Sequence, residues 1–197
     1  RLSPRAGVPA LAPGANVLYD RGCGFLGDAV TPIRPEWLKD EDGKAGLTGR
    51  YYNGRNFESE VRLTRSDRMI NFNWIMNKPC DEVDAYCFSV RWTGFLVPDE
   101  TFDGFIGFGT QDSMRLYVDG ELILDGWGEK KRSDRSVPFR FEKGRSYALR
   151  IDFTNDRRGA KVLFGFNREK EDFSRAVELA RQAEAAVVCL GDNPDTS

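Results

Sequence analysis

Between about residues 46 and 168, apolar and polar side chains alternate with a period of two. Met114, Leu116 and Val118 fall on one side of such a stretch, and Arg115, Tyr117 and Asp119 on the other, as in a half-buried β-strand. The Asp119-Gly120 pair that follows suits a tight hairpin, because both central residues of the favoured turn need positive φ. Glu121-Leu122-Ile123-Leu124-Asp125 then supplies the return strand. Phe88, Val90 and Trp92 interleave with Ser89, Arg91 and Thr93. Tyr147, Leu149, Ile151 and Phe153 interleave with Ala148, Arg150, Asp152 and Thr154, and Val162, Phe164 and Phe166 continue the pattern. Turn signals at Asp103-Gly104, Asp119-Gly120, Lys143-Gly144 and Arg158-Gly159 separate these runs. Short aromatic-rich strands at regular spacing predict an antiparallel β-sandwich with one solvated face on each sheet.

The two ends have a different texture. Residues 1–34 carry Pro4, Pro9 and Pro13, then a strand-like Val17-Leu18-Tyr19 that stops at Gly22-Cys23-Gly24. Residues 35–45 read as a polar linker, and residues 46–168 as the sandwich. In residues 169–197, Asp172 is placed to cap a helix with Phe173, Val177 and Ala180 at three- and four-residue intervals. Ala185-Ala186-Val187-Val188-Cys189-Leu190 follows, an apolar run without a polar face, as in a parallel strand covered on both sides. That run must pair with Val17-Leu18-Tyr19, associate with a second copy of the chain, or fray. A simpler alternative lays the helix across the end of the sandwich. The Arg-Leu-Ser-Pro start, without Met, reads as a cut from a longer polypeptide.

Composition narrows the chemistry. A chain of 197 residues can bury a sizeable core. With a net charge of −2 and no basic stripe, it offers nothing to nucleic acid. The basic run Lys130-Lys131-Arg132 is flanked by Glu129 and Asp134, as in a solvated loop. No apolar segment reaches the length of a membrane span. Histidine is absent, which removes a Ser-His-Asp triad, a His general base and any His-containing zinc site. The four cysteines, Cys23, Cys80, Cys87 and Cys189, are too widely spaced for a paired Cys-x-x-Cys metal site. Cys80 and Cys87 can pair across a loop or remain free thiols.

The hairpin around Arg115-Leu116-Tyr117-Val118-Asp119-Gly120 resembles the centre of the anthrax protective-antigen-type domain. Gly46-Leu47-Thr48-Gly49-Arg50-Tyr51-Tyr52 resembles its opening, and Phe88-Ser89-Val90-Arg91-Trp92-Thr93-Gly94 its middle. The flanks, Asn16-Val17-Leu18-Tyr19-Asp20-Arg21-Gly22-Cys23 and Ala186-Val187-Val188-Cys189-Leu190-Gly191-Asp192-Asn193, are similar to the α/β-sandwich domain of glycoside hydrolase family 3, the β-glucosidases. The resemblance implies a mainly β fold, a sandwich inserted between short α/β pieces of a parent domain. It implies a parent that uses two carboxylates with retention. The nucleophile is expected before Arg1 and the acid/base after Ser197, so the chain would hold no catalytic residue and be inactive alone. No cofactor is implied. The implied partners are a β-glucoside or oligosaccharide and the parent's remaining domains. The insert would then shape the aglycone side of the active site.

A few residues are candidates for contact with sugar. Trp127 lies between Gly126 and Gly128, where an indole face can stack on the apolar face of a sugar ring or close the edge of the core. Arg157 and Arg158 sit in a turn with donors for hydroxyls, or are simply solvated. Trp74 and Trp92 belong to the core pattern, and Trp37 is placed to anchor insert to parent. Some adhesins of the protective-antigen group hold calcium with two consecutive aspartates. The corresponding pair is Gln111-Asp112, which keeps Asp112 as a weak metal candidate and loses one hard oxygen ligand. A free-standing adhesion module, calcium-dependent or not, is the alternative function.

Overall fold

A computed structural model describes residues 7–8, 14–20, 30–128, 133–157, 159–168 and 174–188. The chain divides into two compact units, residues 28–170 and residues 1–27 with 171–197. The larger unit is a sandwich of two antiparallel sheets. One contains β1 (Thr31–Pro32), β12 (Lys161–Asn167), β7 (Phe102–Thr110) and β10 (Ser133–Phe141) in that order, with β5 (Asn71–Asn73) sharing the β1 edge of β12. The other runs β4 (Val61–Asp67), β3 (Leu47–Asn53), β6 (Phe88–Leu96), β11 (Tyr147–Asn155), β8 (Ser113–Val118) and β9 (Glu121–Asp125), with β2 (Leu38–Lys39) also on β6.

Local chemistry explains these elements. In β8, Met114, Leu116 and Val118 are buried while Arg115 and Tyr117 are half-exposed, as the alternation required. Asp119 and Gly120 have φ of 51° and 86°, the conformation that an Asp-Gly hairpin turn supplies. The inner faces meet in a core of large aromatics: Trp92, Tyr51, Phe88, Phe108, Phe153 and Phe164 are fully buried. Asp103-Gly104 is not a turn. Gly104 lies inside β7, where a Cβ would stand 2.6 Å from the carbonyl oxygen of Asn167. The glycine there permits close approach of backbone rather than reversal of the chain.

The sandwich begins earlier than the alternation suggested. Residues 35–45, expected as a linker, contain a 3₁₀ turn, Pro35–Trp37, and strand β2. Ile33, Trp37 and Leu38 are buried in the core, and Trp37 packs against Phe102, Phe141 and Phe166 at ring separations of 5.0–6.1 Å. Its indole N–H donates to the Asp99 carboxylate at 2.7 Å. Trp37 is therefore part of the sandwich's own core, not an outward anchor. A stretch of two-residue strands and a turn is too short to show periodicity, so polarity alone misled there.

In the smaller unit, α1 (Ser174–Gln182) forms where a helix was expected, with Val177 half exposed and no residue fully buried. Asp172 and Phe173 lie outside the described residues, as do Cys23, Cys189 and Leu190. The described parts of the two strand-like runs, Val17-Leu18-Tyr19 and Val187-Val188, form no strand, and Val187 and Val188 are 73% and 75% exposed. A strand apolar on both sides takes its hydrogen bonds and cover from neighbours. Among the described residues, neither run belongs to a sheet.

Residues 28–170 alone are expected to give the same cooperative thermal transition as the sandwich in the full chain. Shortening further to residues 46–168 removes Trp37, Leu38 and Ile33 from the core. Losing one large buried side chain costs about 3–5 kcal/mol, so circular dichroism melts should show that piece unfolded or strongly destabilised.

Candidate functional site

Strand direction gathers the connections of the sandwich at two ends. β3, β5, β7, β9 and β11 all run toward one end, and the chain leaves it along β4, β6, β8, β10 and β12. Residues 54–60, 74–87, 111–112, 126–128 and 156–160, apart from the undescribed position 158, therefore share that end. The opposite end carries the turns at Asp119-Gly120 and Lys143-Gly144, and also both junctions with the rest of the chain. Thr31 pairs with Phe166 there, and the Thr31 hydroxyl donates to the Phe166 carbonyl at 2.7 Å. The loop end is thus the end of the sandwich opposite Thr31 and Phe166.

Polar ties hold the loops to one another. The Gly54 N–H donates to Cys87 O at 2.9 Å, and the Asp84 N–H donates to Asn53 Oδ1 at 2.8 Å. Arg55 pairs with Asp156 at 3.4 Å, and the Gly128 N–H reaches Ser113 Oγ at 2.9 Å. Cys80 lies within the longest of these loops and Cys87 at its end, both as half-buried free thiols.

That loop makes a cavity of about 540 Å³ lined by Trp74, Ile75, Met76, Lys78, Tyr86 and Gly159, among others. Trp74 is its rigid floor, 7% exposed, stacked on Phe72 at 4.6 Å and meeting Tyr51 edge-on. Ile75, Met76 and Tyr86 are 42%, 84% and 55% exposed, a contiguous apolar lip. The Lys78 ammonium is engaged by Asp81, through its carbonyl at 2.9 Å and its carboxylate at 3.4 Å. Gly159, at φ 81°, brings the β11–β12 turn against Ile75, where a Cβ would lie 3.3 Å from the Ile75 Cα. The cavity is an open depression whose lining is polar and apolar in about equal parts, with Asn77 and Lys78 beside the aromatic and aliphatic side chains. Sequence reasoning missed it. The available signal was Trp74-Ile75-Met76, three apolar residues in a row between Asn73 and Pro79, breaking the alternation.

Trp127 lies elsewhere at the same end. It does not close the core; it rests on the outer face of the second sheet. Its ring sits 6.2 Å from Phe57 and under the Arg115 guanidinium at 4.8 Å, and its backbone N–H donates to Asp125 Oδ1 at 2.9 Å. Phe57, at φ 59°, covers Arg91 at 4.5 Å, and Arg91 grips Asp152 with two bonds of 2.6 and 3.0 Å. Bonds from Arg115 and from the Trp127 amide hold the Asp125 carboxyl below its ordinary range. The indole is half-buried and fixed in orientation.

Arg157 turns inward to the β7–β8 connection. Its Nε donates to Asp112 Oδ1 at 3.1 Å and its guanidinium also bonds the Gln111 carbonyl. Asp112 is 4% exposed, and burial pushes its carboxyl up to about 6 although the Arg157 charge opposes the shift. These residues do not fit calcium: one carboxylate is present, and it already faces a cation. No group of three or more His, Cys, Asp or Glu suited to a metal ion occurs among the described residues. Arg158 lies outside the described residues.

Comparison with known proteins fits this architecture. The PA14 domain family matches residues 43–180. The chain belongs to the PA14 domain family. The anti-sigma-I factor RsgI3 of Acetivibrio thermocellus is 33% identical over 139 residues, covering 68% of this chain and 21% of that protein. A probable β-glucosidase I of Aspergillus clavatus is 27% identical over 222 residues, covering 96% of this chain and 25% of that protein. The chain thus spans about a quarter or less of the curated relatives it matches. A solved β-glucosidase from Kluyveromyces marxianus superposes with a TM-score of 0.62 at 20% identity, over 91% of this chain and 23% of that one, which establishes the shared fold. The flanks make the difference between the two curated relatives. A match covering 96% of the chain must include sequence outside the sandwich, and that match is to a β-glucosidase, as the flanking motifs implied.

Asp112 gives a pH test with a definite sign. A carboxyl whose folded-state value is raised adds stability at low pH and loses it as pH rises through about 6. Asp112→Asn should therefore be neutral or unfavourable near pH 4 and gain relative to wild type by on the order of 2 kcal/mol toward pH 8. Thermal melts across that range, with a flat difference as the contrary result, decide it.

Proposed function

We propose that the chain is the accessory insert of a family 3 β-glucosidase, and that its loop end shapes the aglycone side of the active site. The parent hydrolyses terminal β-D-glucosidic bonds by the retaining two-carboxylate route, with both carboxylates in other parts of the polypeptide. The observation behind this reading is the loop end: a cavity floored by Trp74 and rimmed by Ile75, Met76 and Tyr86, at the end opposite the paired strands β1 and β12. A rim of apolar and aromatic side chains can cover the apolar face of a glycone-distal sugar or an aryl group without demanding hydrogen bonds. The fixed indole of Trp127 and the Arg157 turn border the same end and are the further contacts proposed for carbohydrate. Its partners are then a β-glucoside or oligosaccharide and the parent's own domains. A calcium-dependent adhesion module has less support, because Asp112 faces Arg157.

The test uses the intact enzyme. Met76→Asp, Tyr86→Ala and Trp127→Ala should change kcat/KM for cello-oligosaccharides relative to a small alkyl β-glucoside, by roughly 5- to 50-fold for the best of the three. Inhibition by glucose, which occupies the glycone side, should stay constant. Equal losses on every substrate would mean that the variants only disturb folding, and unchanged ratios would remove the loop end from the active site.

A further inference from the structure

Asn53-Gly54 is the only place in the chain where an asparagine precedes a glycine. Asn53 ends β3, and both residues are half-buried. Such a pair is chemically labile, because a glycine nitrogen has no Cβ beside it to obstruct its approach to the asparagine Cγ. Three bonds tie this pair to residues 82–87 of the cavity loop. Asn53 Oδ1 accepts the Asp84 N–H at 2.8 Å, Asn53 Nδ2 donates to the Glu82 carbonyl at 3.4 Å, and the Gly54 N–H donates to the Cys87 carbonyl at 2.9 Å. The nitrogen that would attack is engaged by the loop, and so is the carboxamide it would attack.

We propose that Asn53 is a self-modification site gated by the cavity loop. With the loop closed, its bonds to Asn53 and Gly54 block ring closure. When residues 82–87 lift, solvent base takes the Gly54 amide proton and the nitrogen bonds to Asn53 Cγ. The bond from Cγ to Nδ2 then breaks, and Nδ2 leaves as ammonia after taking a proton from water. Water opens the resulting succinimide at either carbonyl, giving aspartate or isoaspartate. Aspartate puts a carboxylate oxygen in place of the Nδ2 donor, facing the Glu82 carbonyl and close to the exposed Asp81, Glu82 and Asp84. Isoaspartate also adds a carbon to the main chain. Both remove the tie to Glu82 and loosen the loop that carries Lys78 and Tyr86 at the cavity. The proposal is independent of the reading as a β-glucosidase insert, since it concerns the covalent chemistry of this chain and not catalysis.

The whole chain, kept at pH 8 and then cut with trypsin, releases residues 51–55 for chromatography and mass spectrometry. Folded wild type should convert on the order of tenfold or more slowly than the same chain in denaturant, because only molecules with the loop open react. Asp84 accepts the Tyr86 and Cys87 N–H groups, so Asp84→Ala should speed conversion several-fold with the sandwich still folded. Asp84→Asn keeps an acceptor oxygen there and should convert as slowly as wild type. Asn53→Asp should raise hydrogen exchange in residues 79–87 and leave β11 protected. Equal rates in folded and denatured wild type would overturn the proposal, and that comparison needs no variant to fold. So would an Asp84→Ala rate no faster than wild type, an Asp84→Asn rate as fast as that of Asp84→Ala, or exchange in residues 79–87 that Asn53→Asp leaves unchanged.

Discussion

The buried carboxylate of Asp67 is the contact on which the aromatic half of the core depends. It is 5% exposed and accepts the Tyr51 hydroxyl at 2.6 Å, the Trp92 indole N–H at 2.7 Å and Arg65 Nε at 2.6 Å. Those partners come from β3, β6 and β4, so one side chain ties three neighbouring strands. Arg65 also bonds the Tyr51 hydroxyl at 2.7 Å, and burial followed by the Asp67 charge drives the Tyr51 phenol well above its ordinary range. Gly49 makes the room, since a Cβ there would stand 2.6 Å from Asp67 Oδ2. A buried charge is tolerated only when its lone pairs are used, and removing one partner of such a set costs far more than the set contributes. Tyr51 and Trp92 in turn pack against Trp74 or the Phe72 ring stacked upon it, and Arg65 bonds the Pro79 carbonyl of the cavity loop, so the floor of the cavity rests on side chains that this carboxylate holds.

The loop end combines two kinds of support. Beneath the cavity, stacked and edge-on aromatics fix Trp74 by contact area and ring geometry. Around it, ion pairs and backbone bonds tie loop to loop. Arg91, Asp152, Arg115 and Asp125 form pairs across adjacent strands on the outer face, and Phe57 and Trp127 lie over them. Individual exposed pairs contribute little, but guanidinium groups held flat between carboxylate and ring have little freedom left to lose. The exposed apolar lip of Ile75, Met76 and Tyr86 thus stands on a fixed base.

Much of the sandwich was legible because period-two alternation reports the two faces of a strand directly. Asp119-Gly120 was legible for a local reason, two positive φ angles in succession. The errors share a cause. Asp103-Gly104 looks like a turn until Asn167 is known to pass over Gly104, and residues 35–45 look like a linker until Trp37 is known to meet Phe141 and Phe166. Contacts between residues far apart in sequence leave no mark in a local window. The candidate site suffers most from this. Arg157 and Asp112 are joined only by the fold, and the positive φ of Phe57 belongs to a residue with no turn-forming tendency. Trp127 was visible as an aromatic between glycines, but the guanidinium against its ring was not.

The pairing of β1 with β12 has a consequence for any polypeptide that carries this domain. Antiparallel neighbours lie only about 5 Å apart at the backbone, so once the sandwich has folded, the chain comes in and goes out at nearly one point. A flexible insertion of such length would burden its host with the entropy of closing a long loop. A folded insertion whose ends are already pinned together by Thr31 and Phe166 burdens it little more than a short connection. The host can then fold as though the domain were absent, and the domain as though the host were. Such independence lets a whole sandwich be gained, lost or exchanged between proteins without redesigning either partner.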